Sequence, residues 1–588
     1  TLYLNGQECD IREIQMLRPR DIEKIEYHDA PSGKYAKDKL VVNFITKQYR
    51  YGGYVQADGL QTIGYDHGDY NVATNYVKGN NSYTVFAGAN YSHVDGTETW
   101  NNENYQFPQS LFDRESYSKN SYRNHQEYMQ FRYQNQKGKR YWVGKFTLVN
   151  LSTPRNASSG FARESTETDI FSNIRKKSLS PKIDLNANLP LSMNQTLTLG
   201  VHGKYSANSY HRLYQEQPFE TMTDEDEKAL SFQLSAIYNY FSQKHSLSVE
   251  LFHYHDVWNA DYSGNCELWQ HLWKGESLAF FSYNFQASRR LSLKTRIGLD
   301  WLQYHLHGNN SFSQLSPRIN TNVQYQLNKG MLLWSFNFVN SNHGMDIINR
   351  AMIQVNSHMM EKGMPELKKS HDINTYLYYM GRFNRLSVSA IGQFRYNHHP
   401  VTDDYYLDEA NGKIVKTYSN GGNAQYYSAI LALQYKLCKF ANLSGDIRYS
   451  HAEVTTTWSK HNNNLTGNLG LNMFMGDFAL KPYLHFGKKS LDEAALVISK
   501  TPIDYGMSCS YSRGNLYVEL QAVSPFKKQE KRYWLDLPIY SYSKSIKDQT
   551  ASQYASIKVA YSFDFGRKTQ KVEKDVNKNI NSSLLRVE

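Results

Sequence analysis

Thr221-Met222-Thr223-Asp224-Glu225-Asp226-Glu227 sets four carboxylates in succession, and an acidic loop of that kind could bind calcium through its oxygens. A solvated charge run accounts for it better. His253 and His255 share a face in an extended chain, His305 and His307 do the same, and His398 adjoins His399, so a metal or haem ligand set in the loops is conceivable. Two imidazoles do not make a site, and histidines at the rim of long strands are the simpler reading. Cys9, Cys266, Cys438 and Cys509 lie far apart with no CxxC, which gives neither a zinc site nor a dense disulfide framework. No Walker loop, GxSxG, HExxH or GxGxxG stands in a supporting context. The chain is expected to be no enzyme and to carry no cofactor.

Surface recognition is the chemistry that remains. Asp403-Asp404 precedes Tyr405 and Tyr406 in a long connection and could contact sugars or peptides. Trp100, Tyr105, Phe107, Trp258, Trp269, Trp273, Tyr405 and Tyr406 are the candidate ligand contacts, because flat faces stack on sugars, peptides and porphyrins alike. Packing of each loop against itself is the competing reading.

The elements that must position these residues show in the patterning of the 588-residue chain. Its mean hydropathy is -0.66, yet it holds 47 tyrosines and is 40% hydrophobic, too apolar for a disordered tail. No apolar run reaches about 18 residues, so a transmembrane helix is excluded. The net charge of +11 is spread along the chain with no nucleic-acid-binding motif, and nucleic acid is not an expected partner.

A period of two runs through nearly the whole sequence. Leu291, Leu293, Thr295, Ile297, Leu299 and Trp301 alternate with Ser292, Lys294, Arg296, Gly298 and Asp300, and Ala555, Ile557, Val559, Tyr561, Phe563 and Phe565 repeat the pattern near the end. Such segments run for about ten to twelve residues, which suits a tilted membrane-spanning strand of about nine to eleven better than a globular strand of about five or six. About 22 of them follow one another from Tyr51 to Phe565. Tight connections such as Asn80-Asn81, Gly138-Lys139, Gly476-Asp477 and Arg513-Gly514 alternate with long ones over residues 94–124, 151–177, 209–227, 257–275, 341–370, 397–422 and 524–552. Short turns on one side and long loops on the other mark an outer-membrane barrel. The fold class expected is an all-β membrane protein, a 22-stranded antiparallel transmembrane β-barrel with a small N-terminal α/β partial plug. Pro181 and Pro317 share the context Leu-Ser-Pro-basic-Ile and are expected at the outer rim, above the bilayer.

Residues 1–50 are of another kind. They read as a short strand, a turn, a short helix capped near Asp10, a strand, a Pro-Gly turn and an apolar strand. Asp21-Ile22-Glu23-Lys24-Ile25-Glu26 and Asn43-Phe44-Ile45-Thr46-Lys47 resemble steps in the C-terminal half of the plug domain of TonB-dependent outer-membrane receptors, particularly the Bacteroidetes-type barrel group. Asn5, Gly6, Pro31 and Tyr35 complete the plug-like set with Asp21, Ile22, Glu26, Asn43, Ile45 and Thr46. Ser316-Pro317-Arg318-Ile319, Pro365-Glu366-Leu367-Lys368, Phe394-Arg395-Tyr396 and the closing Ala560-Tyr561-Ser562-Phe563-Asp564-Phe565 are similar to segments of the same group, although Met364 stands where Asn is expected.

The resemblance implies residues 1–50 as the C-terminal part of a plug, 51–565 as the barrel and 566–588 as a periplasmic tail. It implies binding and uptake of a nutrient, whether glycan, peptide or metal chelate, in the bacterial outer membrane, with extracellular loops and both termini periplasmic. The implied partners are outer-membrane lipid, the barrel-assembly machinery through the C-terminal strand, TonB and a surface lipoprotein lid. With only part of a plug in view, a receptor-derived barrel serving as a structural or accessory subunit of an outer-membrane complex is the alternative.

Overall fold

The computed structural model describes residues 2–4, 7–9, 22–28, 41–46, 51–108, 110–309, 311–341, 344–526, 529–547, 552–567 and 578. Between Tyr51 and Arg567, 22 strands form a closed antiparallel ring, sealed where Tyr554–Arg567 pairs with Tyr51–Ile63. The strands that follow short turns, among them those from Asn81, Arg140, Gln195, His245, Leu291, Phe478 and Leu516, start where alternation places them, while strands after the long connections start earlier, at Ser110, Glu167, Phe219 and Leu268 in place of His125, Ser178, Lys228 and Glu276.

The wall is inside out relative to a soluble protein. On Leu291–Leu306, Ile297, Leu299 and Trp301 are each about half exposed while Asp300 between them is fully buried. Apolar side chains turned outward against a lumen of charges and amides fit a wall bathed in hydrocarbon. Tyrosines gather at the short-turn rim. Tyr51, Tyr76, Tyr83, Tyr133 and Trp142, on five consecutive strands, form a chain of ring contacts with centroid spacings of 5.9, 6.4, 5.1 and 4.7 Å. A ring with a wet hydroxyl suits the lipid interface there.

Several expected loops are strand instead. Asn81–Phe107 has 27 residues and Ser110–Lys137 has 28, roughly 90 Å of extended chain against an apolar band about 25 Å tall. Register shifts at Asp95/Thr97, Arg123/His125 and Ile174/Lys176 fall where outward apolar residues give way to polar ones. The extra residue swaps the inward and outward parities on Asn81–Phe107 and on Arg140–Arg163, which hides the alternation beyond it, while Ser110–Lys137 and Glu167–Ser192 keep theirs.

The prolines also stand elsewhere than expected. Pro181 pairs with Leu148 and Pro317 with Leu299, both partners outward and exposed, so the prolines lie within the apolar band. Pairing toward Gln195–Glu216 lapses at Ser180 and Pro181, where the Ser180 hydroxyl donates to the Tyr205 carbonyl at 2.9 Å. The serine thus supplies the donor that the proline ring lacks.

The ring is sealed at two levels. Tyr51–Ile63 and Asp66–Lys78 form a hairpin shorter than its neighbours, and beyond its tip Tyr540–Lys547 pairs directly with the 98–105 stretch of Asn81–Phe107. Two strands therefore drop out of the upper wall. The four strands before the seam are interrupted, as at Phe478–His485 to Lys488–Asp492 and Leu516–Val523 to Glu530–Asp536.

The N-terminal residues form a four-stranded sheet ordered Gln7–Cys9, Leu2–Leu4, Val41–Thr46, Ile22–His28. Ile22, Glu26, Asn43, Ile45 and Thr46 lie on its strands, and the buried Asn43 amide donates to Glu26 at 2.8 Å. Asn5, Gly6, Asp21, Pro31, Tyr35 and the helix expected near Asp10 lie outside the described residues. Of the tail, Lys578 sets its ammonium 4.1 Å from the Tyr128 ring centroid.

Gly53 sits at the lower seam opposite Phe565, where a Cβ would run into the Phe565 ring and the Asn75 carbonyl. Gly53→Val is expected to weaken closure by on the order of 1–3 kcal/mol. The check is a smaller fraction of compact, fast-migrating barrel on an unheated SDS gel.

Candidate functional site

Two long connections fold into the mouth of the barrel. Residues 344–369 join Gly330–Ser341 to Ser370–Phe383, and residues 399–422 join Leu386–His398 to Asn423–Cys438. Together they build a four-stranded sheet ordered Met352–Gln354, Met359–Lys362, Lys413–Ser419, Thr402–Asp408. The two loops are joined where Met359–Glu361 runs parallel to Ile414–Lys416. All four crossings leave the wall from one sector, yet apolar anchors are spread round the rim. Met359, Tyr405 and Ile414 pack with Tyr105, Ala424, Val454, Leu535 and Tyr540 of the wall. Ala351 and Ile353 seat among Ile174, Tyr210, Ala260 and Tyr262, while Met345 and Ile348 seat among Leu272, Leu302, Tyr304 and Leu306. Each large apolar side chain so buried contributes about 1.5–3 kcal/mol. The sheet is thus held as a stopper across the opening.

Buried ions fix its near end. Lys369 and Asp300, neither side chain solvent-accessible, lie 3.0 Å apart, and Arg318 reaches Asp300 at 2.5 Å and Glu276 at 3.1 Å. The amide of Lys368 donates to the Asn420 side chain, which donates back to the Lys368 carbonyl, tying one loop to the other.

The far end rests on Arg212 and Arg114. Arg212 donates to the carbonyls of Gln354 at 2.9 Å and Val355 at 2.5 Å. Arg114 pairs with Glu216 at 2.8 Å, and Ser357 donates to the same carboxylate at 3.1 Å. Asn356 donates to the Tyr105 hydroxyl at 3.2 Å, which in turn donates to Glu103. Burial works against the Arg114 charge, and Tyr214, Glu103 and Glu216 outweigh it, so the guanidinium stays protonated above its ordinary range. The amide of Asp403 donates to the Ala494 carbonyl at 2.6 Å, while Thr457 and Trp458 donate to Asp404. Both aspartates are therefore engaged in holding the sheet.

Sequence reasoning picked out some of these residues and missed others. Tyr405, on the stopper, and Tyr105, on the wall, are buried in one cluster with Phe107 packed against it, and Trp258 points inward onto the cluster of Met345. Tyr406 is exposed on the inserted sheet. The structure places Trp100, Trp269 and Trp273 on the outer wall: Trp100 against Tyr117 and Phe161, Trp269 beside His307, and Trp273 beside His255. For Trp100 the parity swap after Asp95 is the reason. Arg114, Arg212, Asp300, Arg318 and Lys369 went unnoticed. The alternation of Tyr210, Arg212, Tyr214 and Glu216 on one parity, buried against half-buried residues on the other, was the available signal.

The acidic run does not converge on one point. Asp224 faces His211 at 2.5 Å on one side of its strand, while Glu225 accepts from Tyr262 and Glu227 from Asn208 on the other. Among the described residues no three His, Cys, Asp or Glu side chains group as a metal site. His253 bonds Ser277 and His305 bonds Ser311 at the outer surface.

The chain resembles solved membrane receptors in shape and hardly at all in sequence. The copper transporter OprC superposes with a TM-score of 0.62 at 11% identity, over 96% of this chain and 90% of that one. A mutant of the ferric enterobactin receptor PfeA from Pseudomonas aeruginosa gives 0.59 at 10% identity over 96% and 90%, and the siderophore receptor PirA from the same organism gives 0.55 at 12% over 96% and 91%. No protein-family model matches the chain, and no curated protein matches it in sequence. The fold is the 22-stranded barrel of TonB-dependent receptors.

Lys416 lies between Asp403 at 3.3 Å and Glu361 at 3.6 Å. Burial opposes its charge, but the two carboxylates hold the ammonium protonated above its usual range. One ammonium cannot satisfy both, and burial pushes the surplus Asp403 carboxyl up to about 6 from 3.8. Between those two values the folded sheet holds a proton that the unfolded chain has released, so its stability falls as the pH rises through that window, by on the order of 2–3 kcal/mol. Amides of Thr402–Asp408 and Lys413–Ser419, corrected for intrinsic rate, should exchange faster at pH 7 than at pH 4, and Asp403→Asn should flatten the difference.

Proposed function

We propose that the chain is an outer-membrane receptor that binds a nutrient and passes it inward through the barrel. The observation that carries the reading is the inverted wall, apolar outside and charged within, closed at the mouth by a sheet folded from its own loops. A continuous backbone ring is one of two solutions for crossing hydrocarbon, and among the described residues no helix is long and apolar enough for the other. Residues 1–50 act as the plug segment, the face with the long connections is extracellular, and both termini are periplasmic. TonB supplies the energy that moves the plug. The last strand, Tyr554–Arg567, engages the barrel-assembly machinery, and a surface lipoprotein covers the loops.

Because the stopper fills the mouth, a solute enters only when that sheet withdraws. Tyr105, Phe107, Trp258 and Tyr405 then become available to stack on it, and Tyr406 meets it first. The solute is a glycan, a peptide or a metal chelate, the last being what the neighbouring folds are named for.

A deletion strain is expected to lose growth on one nutrient of these classes, and inactivating TonB in the parent should reproduce the loss. Unchanged growth on every nutrient tried, with a leaky envelope instead, would overturn transport in favour of a structural role.

A further inference from the structure

Lys578, well beyond the last strand, lies inside the barrel. Its ammonium stands over the Tyr128 ring, 4.1 Å from the centroid. Tyr128 is on the inward parity of Ser110–Lys137, shared with the buried Gln130 and Arg132. Its hydroxyl donates to Asn71 at 2.7 Å, and the Asn71 amide donates to Asp58 at 3.1 Å and to Asp69 at 3.0 Å. Asp58, Asn71, Gly88 and Tyr128 stand opposite one another, in register, on four neighbouring strands.

This row is shaped for a cation. A Cβ on Gly88 would stand 2.5 Å from Oδ1 of Asn71 and 2.6 Å from the Tyr128 ring, so a glycine is needed for the ring to lie across that strand and reach Asn71. The face of the ring, the negative side of its quadrupole, is what Lys578 meets. Asp58 and Asp69 share the one Asn71 amide, and among the described residues neither forms an ion pair. Their charge adds to the attraction of the ring for an ammonium. Residues 568–588 supply ammonium groups in series, at Lys568, Lys571, Lys574 and Lys578.

We propose that the C-terminal segment, residues 568–588, docks inside the barrel through Lys578, with the row from Asp58 to Tyr128 as its seat. The chain has the reach. Arg567 pairs with Tyr51, seven positions below Asp58 or about 23 Å along the strand, and Tyr128 lies three strands further round, about 14 Å. Eleven residues lead from Arg567 to Lys578 and extend to about 36–40 Å at most, so the segment turns back through the short-turn end with chain to spare. The docking goes beyond the transport reading and does not depend on it. It occupies the lumen from the short-turn end, as the mouth sheet occupies it from the other. One ammonium on one ring is a weak hold, so the docked segment exchanges with a released one, and a single change at the seat shifts the balance.

The test is the rate at which trypsin cuts after Lys574 in the whole barrel in detergent, followed by mass spectrometry. A protease is too large to enter the lumen, so the bond is expected to be cut about tenfold or more slowly than in a synthetic peptide of residues 568–588, which corrects for the sequence at the bond. Lys578→Gln and Tyr128→Leu should each raise the rate about fivefold or more, whereas Lys578→Arg, which keeps a cation for the ring, should leave it near that of the parent. Lys578→Gln does not touch the wall and stands alone as the test if Tyr128→Leu does not assemble. Cleavage of the parent as fast as of the peptide puts the segment outside the barrel and overturns the docking. Slow cleavage that Lys578→Gln leaves unchanged overturns the seat. Neither result bears on nutrient uptake, which the deletion strain reads separately.

Discussion

No peptide group can be left unpaired in hydrocarbon, and that single demand shapes the chain from Tyr51 to Arg567. Because among the described residues no helix is long and apolar enough to cross, every strand needs two neighbours, and the first must find the last. Closure then dictates composition. A strand with lipid on one side and lumen on the other must alternate, and the apolar half of the alternation faces out. The prolines show how strictly the demand is met, since the missing amide at Pro181 is covered by the hydroxyl of Ser180.

The lumen follows the opposite rule, and the mouth sheet exploits it. Charges such as Asp300 and Lys369 are tolerable in the interior because each has a partner of opposite sign within 3.0 Å, in a setting where an unpaired ion would be very costly. The stopper combines two kinds of hold. Apolar clusters fix it without direction, and arginines donating to main-chain carbonyls fix its register.

The sequence disclosed the parts of the fold that lipid touches and little else. Leu291 to Trp301 alternates plainly because one face must be greasy, and the strand starts followed from that pattern. Beyond the lipid both faces are polar, and on the 27-residue strand the inserted residue near Asp95 also exchanges the parities, so strands of 27 and 28 residues looked like loops. The stopper was illegible for a different reason. Its strands have between three and seven residues, too few for a period to emerge, and the bonds that seat it join residues as distant as Arg212 and Val355, 143 positions apart. Tyr105 and Tyr405 were found because aromatic rings in long connections were singled out for stacking, a rule that also took in Trp100, Trp269 and Trp273 of the outer wall. Arg114 and Lys369 were passed over because nothing local announces a partner on another strand.

The short hairpin formed by Tyr51–Ile63 and Asp66–Lys78 works like a gusset sewn into the base of a sleeve. With two strands missing beyond its tip, the circumference shrinks toward the opening and the vessel becomes a truncated cone. Under the proposed function, a rim two strands narrower than the base is the size limit that an arriving solute meets first.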